Sequence, residues 1–519
     1  MTSVTRTQPD SKHSASHLTA TMLSLALFTF TACYLRLFVS LNVPVLPSGD
    51  QITPVSDAAR IVAGELPYRD FFMMLPAGTP LTYALLIKAF GLCIWIPGVV
   101  MACLATTTVL LMTLASSRLM GGRVVALPAV LFTGFILLLS ADASHHWFST
   151  VFVLTAMVLL FGDATPWRIA AVGACCGAAA CFTQTKGAMA LVAVTAYLVW
   201  KASRRDFTAR ECWRHCLLLG GAAVAVFAAV NSYFIGVAGL TRWFYCVLAY
   251  PYRYYSVPAI NNWRVIKYDF QWHQGAARWL AFPFVYCTVP LVYIAFPFAM
   301  RLRRGKVGTQ SYDRLILVAL TGIAMFLAIA SSPSVKRLST ASPPAMILLA
   351  WLLDRPGRIA PLLRTALGTA AVAVAISVAV RSQTRWVTYL DLPAERTAFI
   401  DRSVHEEYCW VLAHTHPGQF FWGMPPFNLP FHLQNPARIM GYDTTEYTRP
   451  DEIAALVQAL QEHSVPVIVL PSEIRYPLTV EGPSNHLAPF VSYLRTNYKM
   501  IRTFANGDEV WERTGSPGS

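Results

Sequence analysis

From about His17 onwards the chain is a succession of apolar runs, most of them long enough to cross a bilayer, joined by short loops rich in Lys and Arg. In hydrocarbon a single span must satisfy its own backbone N–H and C=O groups, so runs of about 20 apolar residues dictate helices and together a helical membrane bundle. Composition agrees: 55% of the 519 residues are hydrophobic and 13% are charged, about half the charged share of a soluble domain. The net charge of +14 would suit a nucleic-acid partner, but the basic residues sit between apolar runs, where they act as topology signals. No nucleic acid is expected. Most of the 11 cysteines lie inside apolar runs (Cys33, Cys103, Cys175, Cys176, Cys181), without metal-ligand spacing, and are expected to be small core residues.

The loop charges orient the bundle. Residues 1–17, polar and carrying Arg6 and Lys12, are expected to be a disordered cytoplasmic tail, which places the end of a first helix at about 17–40, and Asp50 after it, outside. Pro80–Phe90 is too short for an ordinary span and is expected to lie along, or dip into, the outer surface. The further spans fall near 95–116, 123–141, 147–162, 168–182, 187–200, 213–236, 278–300, 313–331, 339–353 and 365–380. Every inner turn then gathers cations: Arg118 and Arg123; Arg168; Lys201, Arg204, Arg205, Arg210 and Arg214; Arg301, Arg303, Arg304, Lys306 and Arg314; Arg355, Arg358 and Arg364. The expected fold is mainly α, a polytopic membrane helix bundle of about 11 spans with a peripheral or re-entrant outer helix. It occupies 18–381, with a first outer loop at 41–94 and a long aromatic one at 238–277.

Beyond Arg381 the chain turns polar, and 382–519 is expected to be a small extracytoplasmic α/β domain. Asp451–Glu462 has helical spacing, Val465–Leu470 reads as a buried strand, Gln419–Gly423 precedes them as another strand, and the closing GDEVWER reads as a turn and an edge strand.

A few cations remain outside against the topological rule: Lys186 in the turn FTQTKG, Arg242, Arg253, Arg264 and Lys267 in the aromatic loop, and the pair Lys336 and Arg337. Binding of a phosphate at the outer surface is one reason for them to be there, and anchoring to lipid headgroups beside interfacial Tyr and Trp is the other. Outer acids sit in GDQITPVSDAARIVAGELPYRDF. Asp50, after a Pro-rich exit from the membrane, suits a general base that takes a proton from a hydroxyl, or a ligand of a divalent cation. Asp57 is a rival, or a cap for a helix over 58–63, and Asp70 is placed to pair with Arg69. A second outer loop, SADASHHW, adds Asp142, His145 and His146; the two histidines are adjacent and on a helix would point apart.

The outer Asp50 after a first helix, the segment Gly64-Glu65-Leu66-Pro67-Tyr68-Arg69-Asp70-Phe71, the turn Pro76-Ala77-Gly78-Thr79-Pro80-Leu81, the loop Arg118–Arg123, the turn Phe182–Gly187 and Lys336-Arg337-Leu338 with Pro343-Pro344 follow one another in an order that resembles the bacterial GT-C glycosyltransferases of the dolichyl-phosphate-mannose mannosyltransferase and RgtA/B/C/D-like type. The resemblance implies a glycosyltransferase, hexosyl- or pentosyl-transferring, that moves sugar from a polyprenyl-phosphate donor to an envelope glycan, lipid or protein on the outer face of the inner (plasma) membrane. It implies Asp50 as the catalytic acid of the first loop and Asp142 as that of the second, with Lys336 and Arg337 near the donor phosphate. This chain has Asp50-Gln51 where the family often has Asp-Glu. Asp57, Arg69, His145, His146, Lys186 and Arg253 complete the expected substrate-binding set. No metal site is assigned, a divalent cation staying open as an alternative. The lack of a glycine-rich phosphate loop fits a lipid-phosphate donor. A non-catalytic scaffold or sensor is the rival reading. A transporter would place its charges near the midplane, whereas here they gather at one face.

Overall fold

The computed structural model describes residues 11–272, 282–303, 308–355, 357–423, 427–472 and 486–515. Residues 1–10 of the expected tail, 278–281 of one expected span and the basic residues Arg304 and Lys306 lie outside the described residues. The membrane part runs through α1 (Ser11–Leu37), α2 (Ile52–Val62), α3 (Gly78–Phe90), α4 (Trp95–Ser117), α5 (Leu127–Phe135), α6 (His145–Leu159), α7 (Pro166–Phe182), α8 (Gln184–Ser203) and α9 (Ala209–Ala238). Short α10 (Leu240–Phe244), α11 (Tyr250–Tyr254) and α12 (Val265–Trp272) build the long aromatic loop. Then follow α13 (Val289–Leu302), α14 (Thr309–Ala328), α15 (Val335–Ala341), α16 (Pro343–Leu353) and α17 (Ile359–Thr384).

Among the described residues seven helical segments are long and apolar enough to cross a membrane, and α6, α7 and α16 are shorter apolar helices. With α8, 20 residues long, they cover each of the segments expected to span. Large apolar side chains such as Leu27, Val224, Phe298 and Leu362 are exposed around the bundle, a surface that only lipid solvates. The chain is an integral membrane protein.

Small residues set the helix spacing. Gly173 and Gly177, four apart on α7, face α9, where an added Cβ would stand 2.2 Å from Leu219 O and 2.3 Å from Ala223 O. Removing the side chain lets two backbones touch, which replaces the hydrophobic drive that lipid does not supply. The expected span 339–353 is interrupted at Ser342, where the seven-residue α15 closes and the prolines 343 and 344 open α16. The first helix starts at Ser11, six residues earlier than expected.

After α1 a short hairpin pairs β1 (Phe38–Val39) with β2 (Val43–Pro44). The region after α17 forms β3 (Thr388–Asp391) and β4 (Arg396–Phe399), then α18 (Arg402–His414), β5 (Trp422–Gly423), α19 (Asn428–Phe431), α20 (Pro450–Glu462), β6 (Val467–Leu470), α21 (Ala488–Asn497), β7 (Tyr498–Thr503) and β8 (Glu509–Arg513). β3 and β4 pair as a hairpin, while the other strands form a sheet in the order β5-β6-β8-β7. The β5–β6 pair is parallel and joined through α20, as the strand, helix, strand order implies. GDEVWER is not an edge: β8 pairs with β6 on one side and with β7 on the other, because Tyr498–Thr503 folds back on it as a hairpin. This region is tied to the bundle. Leu46 N donates to Ala398 O at 2.9 Å, Arg60 Nη1 to Ala437 O at 3.0 Å, and Phe72 N to Arg438 O at 2.9 Å.

Candidate active site

Three short segments meet at one end of the bundle: the turn Gly49–Gln51 after α1, the loop 140–144 ahead of α6, and the start of α15. Gln51 joins the first two. Its Nε2 donates to Ser48 O at 3.0 Å and its Oε1 accepts from Ala143 N at 3.0 Å. Only an amide both donates and accepts in this way, so the glutamine beside Asp50 has a positioning role that a glutamate could not fill. Tyr83, fully buried on α3, holds the same loop through its hydroxyl, 2.7 Å from Ala143 O. At the third segment Asp269 Oδ2 accepts from Val335 N at 2.7 Å and from Tyr286 Oη at 2.5 Å, fixing the first turn of α15.

Lys336 Nζ then stands 3.6 Å from Asp142 Oδ2. The approach requires Gly49, whose φ of +78° and missing side chain leave room: a Cβ there would lie 2.6 Å from Lys336 Nζ and 3.3 Å from Asp142 Oδ2. Asp50 is exposed, and its charge acts on Lys336, Asp142, His145 and Tyr255. Burial pushes the Asp142 carboxyl up to about 6, Lys336 opposing and Asp50 adding to the shift. Burial also works against the Lys336 charge, but Asp50 and Asp142 outweigh it and hold the ammonium above its ordinary value.

Two cavities flank this cluster. The smaller, of about 140 Å³, is lined by Arg36, Gln51, Ser140, Asp142, Lys336 and, from the C-terminal region, Ile400. The larger, of about 400 Å³, is lined by apolar residues such as Met74, Leu75, Val247, Leu248 and Ile329 together with His145, His146, Tyr255 and Arg337. Neighbours in sequence divide between them: Lys336 faces the small cavity and Arg337 the large one, as do Asp142 and the histidines three and four residues later. The guanidinium of Arg337 is held by Ser332 O at 3.1 Å, by the Ser332 hydroxyl, and by Asn261 Oδ1 at 3.1 Å, and lies over the Tyr255 ring. His145 and His146 do not point apart. At the first turn of α6 both reach the large cavity, with ring centroids 4.0 Å apart.

The other expected residues go elsewhere. Lys186 belongs to the first turn of α8 rather than to a free loop, fully buried, with Nζ donating to His146 O at 3.1 Å, Thr150 Oγ1 at 3.1 Å and Thr340 Oγ1 at 2.6 Å. All three of its protons are taken by neutral oxygens, so it knits α6, α8 and α15 behind the site. Asp57 does not cap a helix: α2 starts at Ile52, leaving Asp57 in its middle, buried near the Arg60–Glu65 ion pair, with burial raising its carboxyl to about 7. Arg69 pairs with Asp70 at 2.8 Å, and Arg253 is exposed on α11 and lines neither cavity. Arg242 donates to Tyr68 O. Gln51, Gly49, Tyr255 and Arg36 are the site residues that sequence reading passed over. Two of them carried a local sign, Gly49 as a glycine next to the acid and Gln51 as a departure from Asp-Glu, but neither with the role the structure gives it.

A divalent cation finds a poor donor set here. Among the described residues no three His, Cys, Asp or Glu side chains converge, and the place between Asp50 and Asp142 faces the Lys336 ammonium, which repels a metal ion.

No protein-family model matches the chain, and no curated protein matches it in sequence. Solved structures share its fold. ArnT from Cupriavidus metallidurans bound to undecaprenyl phosphate superposes with a TM-score of 0.59 at 12% identity, over 97% of this chain and 99% of that one. Its apo state gives 0.57 at 13% identity, over 96% and 98%. The archaeal oligosaccharyltransferase AglB from Archaeoglobus fulgidus, in complex with an inhibitory peptide and a dolichol-phosphate, gives 0.54 at 10% identity, over 96% of this chain and 74% of that one. The fold is the one these structures share, as the order of motifs implied.

Proposed function

We propose that this protein is a membrane glycosyltransferase that moves a sugar from a polyprenyl-phosphate donor to a cell-envelope acceptor on the outer face of the inner membrane, with its N-terminus in the cytoplasm. The observation that carries the reading is that residues adjacent in sequence open on two cavities, Asp142 and Lys336 on the smaller and His145, His146 and Arg337 on the larger. A two-substrate transfer needs two approaches to one set of reacting groups. The larger cavity, lined by apolar residues and by Arg337, suits a prenyl chain whose phosphate lies against that guanidinium. Two structures of like fold hold such lipids, undecaprenyl phosphate and dolichol-phosphate. The smaller, more polar cavity suits the acceptor.

In this reading Asp50, exposed and near enough for its charge to act on both Lys336 and His145, takes the proton as the acceptor oxygen bonds to the anomeric carbon. The bond from that carbon to the phosphate oxygen breaks, its electron pair leaving with the phosphate. Arg337 and Lys336 offset the charge that develops there, and Asp142 orients Lys336. The reaction uses no divalent cation, since Lys336 supplies the positive charge between the two carboxylates.

The test is transfer from a panel of undecaprenyl-phosphate sugars by the full chain in lipid nanodiscs, beside Asp50→Asn. Removing a general base is expected to lower turnover by about 10² to 10⁴-fold. Equal turnover by the variant would remove Asp50 from the mechanism, and an absence of both transfer and donor hydrolysis across the panel would favour a scaffold.

A further inference from the structure

Beside the site three arginines gather with no acid among them. Arg36 lies in the last turn of α1, Arg381 in the last turn of α17, and Arg385 directly follows that helix. Gln383 binds the two helix ends together, its Nε2 donating to Leu35 O at 2.6 Å and to Phe38 O at 2.7 Å. The arginines are thereby held close: the charge that acts on Arg36 is that of Arg381, and the one that acts on Arg385 is that of Arg36.

Other guanidinium groups of the bundle meet oxygen. Arg337, Arg303 and Arg314 donate to carbonyls, and Arg204 and Arg364 to carboxylates. Arg385 differs: its Nε and Nη2 are buried and make no hydrogen bond. Buried charged donors without an acceptor are costly and rare, and clustering them with like charges adds to the cost. An incoming anion relieves both terms. Arg36 also lines the small cavity, together with Asp142 and Lys336.

We propose that Arg36, Arg381 and Arg385 form an anion subsite that anchors the acceptor through a phosphate or carboxylate group, leaving its hydroxyl to enter the small cavity towards Asp50. The assignment of the anion to an acceptor rests on the glycosyltransferase reading; the anion subsite itself does not. A guanidinium cluster suits such a group because each arginine offers forked donors to two oxygens at once.

The experiment titrates the full chain in detergent micelles with dioctanoyl phosphatidic acid and dioctanoyl phosphatidylcholine, beside Arg36→Gln, Arg385→Gln, Arg385→Lys and Arg337→Gln, each checked for an unchanged melting midpoint. Phosphatidic acid is expected to bind the wild type at least tenfold more tightly than phosphatidylcholine, and more weakly as salt is added. Arg36→Gln and Arg385→Gln are expected to lose at least tenfold, Arg385→Lys to keep most of the affinity, and Arg337→Gln, at the donor-phosphate cavity, to lose less than Arg385→Gln. Inorganic phosphate that competes at equal concentration would identify the anionic group alone as what the subsite recognises; failure to compete would identify a lipid-linked anion. Equal binding of the two lipids, or loss confined to Arg337→Gln, would overturn the proposal. These readouts need no turnover, so they stand even if no sugar is transferred. In an active preparation Arg385→Gln is further expected to raise the acceptor KM while leaving donor hydrolysis without acceptor unchanged.

Discussion

Lys186 and Lys201 sit at opposite ends of α8, about 22 Å apart at 1.5 Å per residue, and they live in different electrostatic worlds. Lys201 lies 3.3 Å from Asp313 and 3.4 Å from Asp206, and Arg204 joins Asp313 at 2.8 Å. At that same end Arg364 pairs with Asp354 at 2.6 Å, while Arg303 and Arg314 donate to carbonyls at the C-terminal ends of α16 and α6, where the helix dipole is negative. Lys186 meets only neutral oxygens, Arg337 a carbonyl and an amide, and Arg385 nothing for two of its donors. The cations packed between helices at one end meet carboxylates or helix-end carbonyls, whereas at the other Lys186, Arg337 and Arg385 meet neutral groups or none. The difference teaches where an anionic substrate has to go, because charge left uncompensated beside a cavity is charge that a ligand can meet.

The comparison is broken most severely by removing a cation at the site end. Lys336→Met is expected to lower sugar transfer by about 10² to 10³-fold, the usual cost of one electrostatic contact to a developing anion. Lys201→Met, at the other end of the bundle, is expected to keep turnover within about twofold, since it touches no substrate. Transfer rates of the two variants in the same nanodiscs settle whether the asymmetry is functional.

A smaller effect follows pH. With its carboxyl raised to about 6, Asp142 gains a proton in mild acid and releases Lys336. Transfer is expected to fall about tenfold per pH unit below that point, and Asp142→Asn to lose this limb from the profile. The contribution of this group to stability runs the other way: the folded protein holds the proton more tightly than an unfolded carboxyl of 3.8, so stability rises as pH falls from about 6 towards 4. A rate loss without a fall in melting midpoint across that window separates the titration from acid unfolding.

The smallest expected effect is at the opposite end. Asp313→Asn leaves Lys201 and Arg204 without their shared carboxylate, and because both cations are partly exposed the cost is about 1 to 2 kcal/mol, below that of a fully buried pair. Thermal unfolding is expected to register it, with turnover per folded molecule unchanged. A loss of turnover at full stability would tie that end to the chemistry.

Much of the membrane part was legible because hydropathy and loop charge are local. Among the described residues the expected spans fall on helices, 339–353 being divided between α15 and α16, and cations expected to be inner, such as Arg118, Lys201, Arg204 and Arg314, lie together at the end away from Asp50. The strand order around α20 was legible in the same way, whereas the place of GDEVWER in its sheet was not, since pairing depends on Tyr498–Thr503 folding back. The site was legible only as a set of candidates. Lys186, Arg253 and Lys336 look alike as outer cations in the sequence, yet one is buried among hydroxyls, one is exposed on the surface and one stands beside Asp142. Gln51 looked like a departure from a motif until Ala143 N and Ser48 O showed what its amide binds.

By itself, then, the sequence determined the class of solvent, the run of helices and the end of the bundle at which the candidate acids and the few cations outside the basic loops collect, because a 20-residue apolar run and a basic loop act through the membrane without reference to the rest of the chain. Which of those groups meet was decided by tertiary structure alone. Residues 49–51, 140–146 and 334–337 are brought together by helix contacts that let backbones touch and by single hydrogen bonds such as Gln51 to Ala143, and a charge becomes reactive or structural according to the partners that packing leaves within reach.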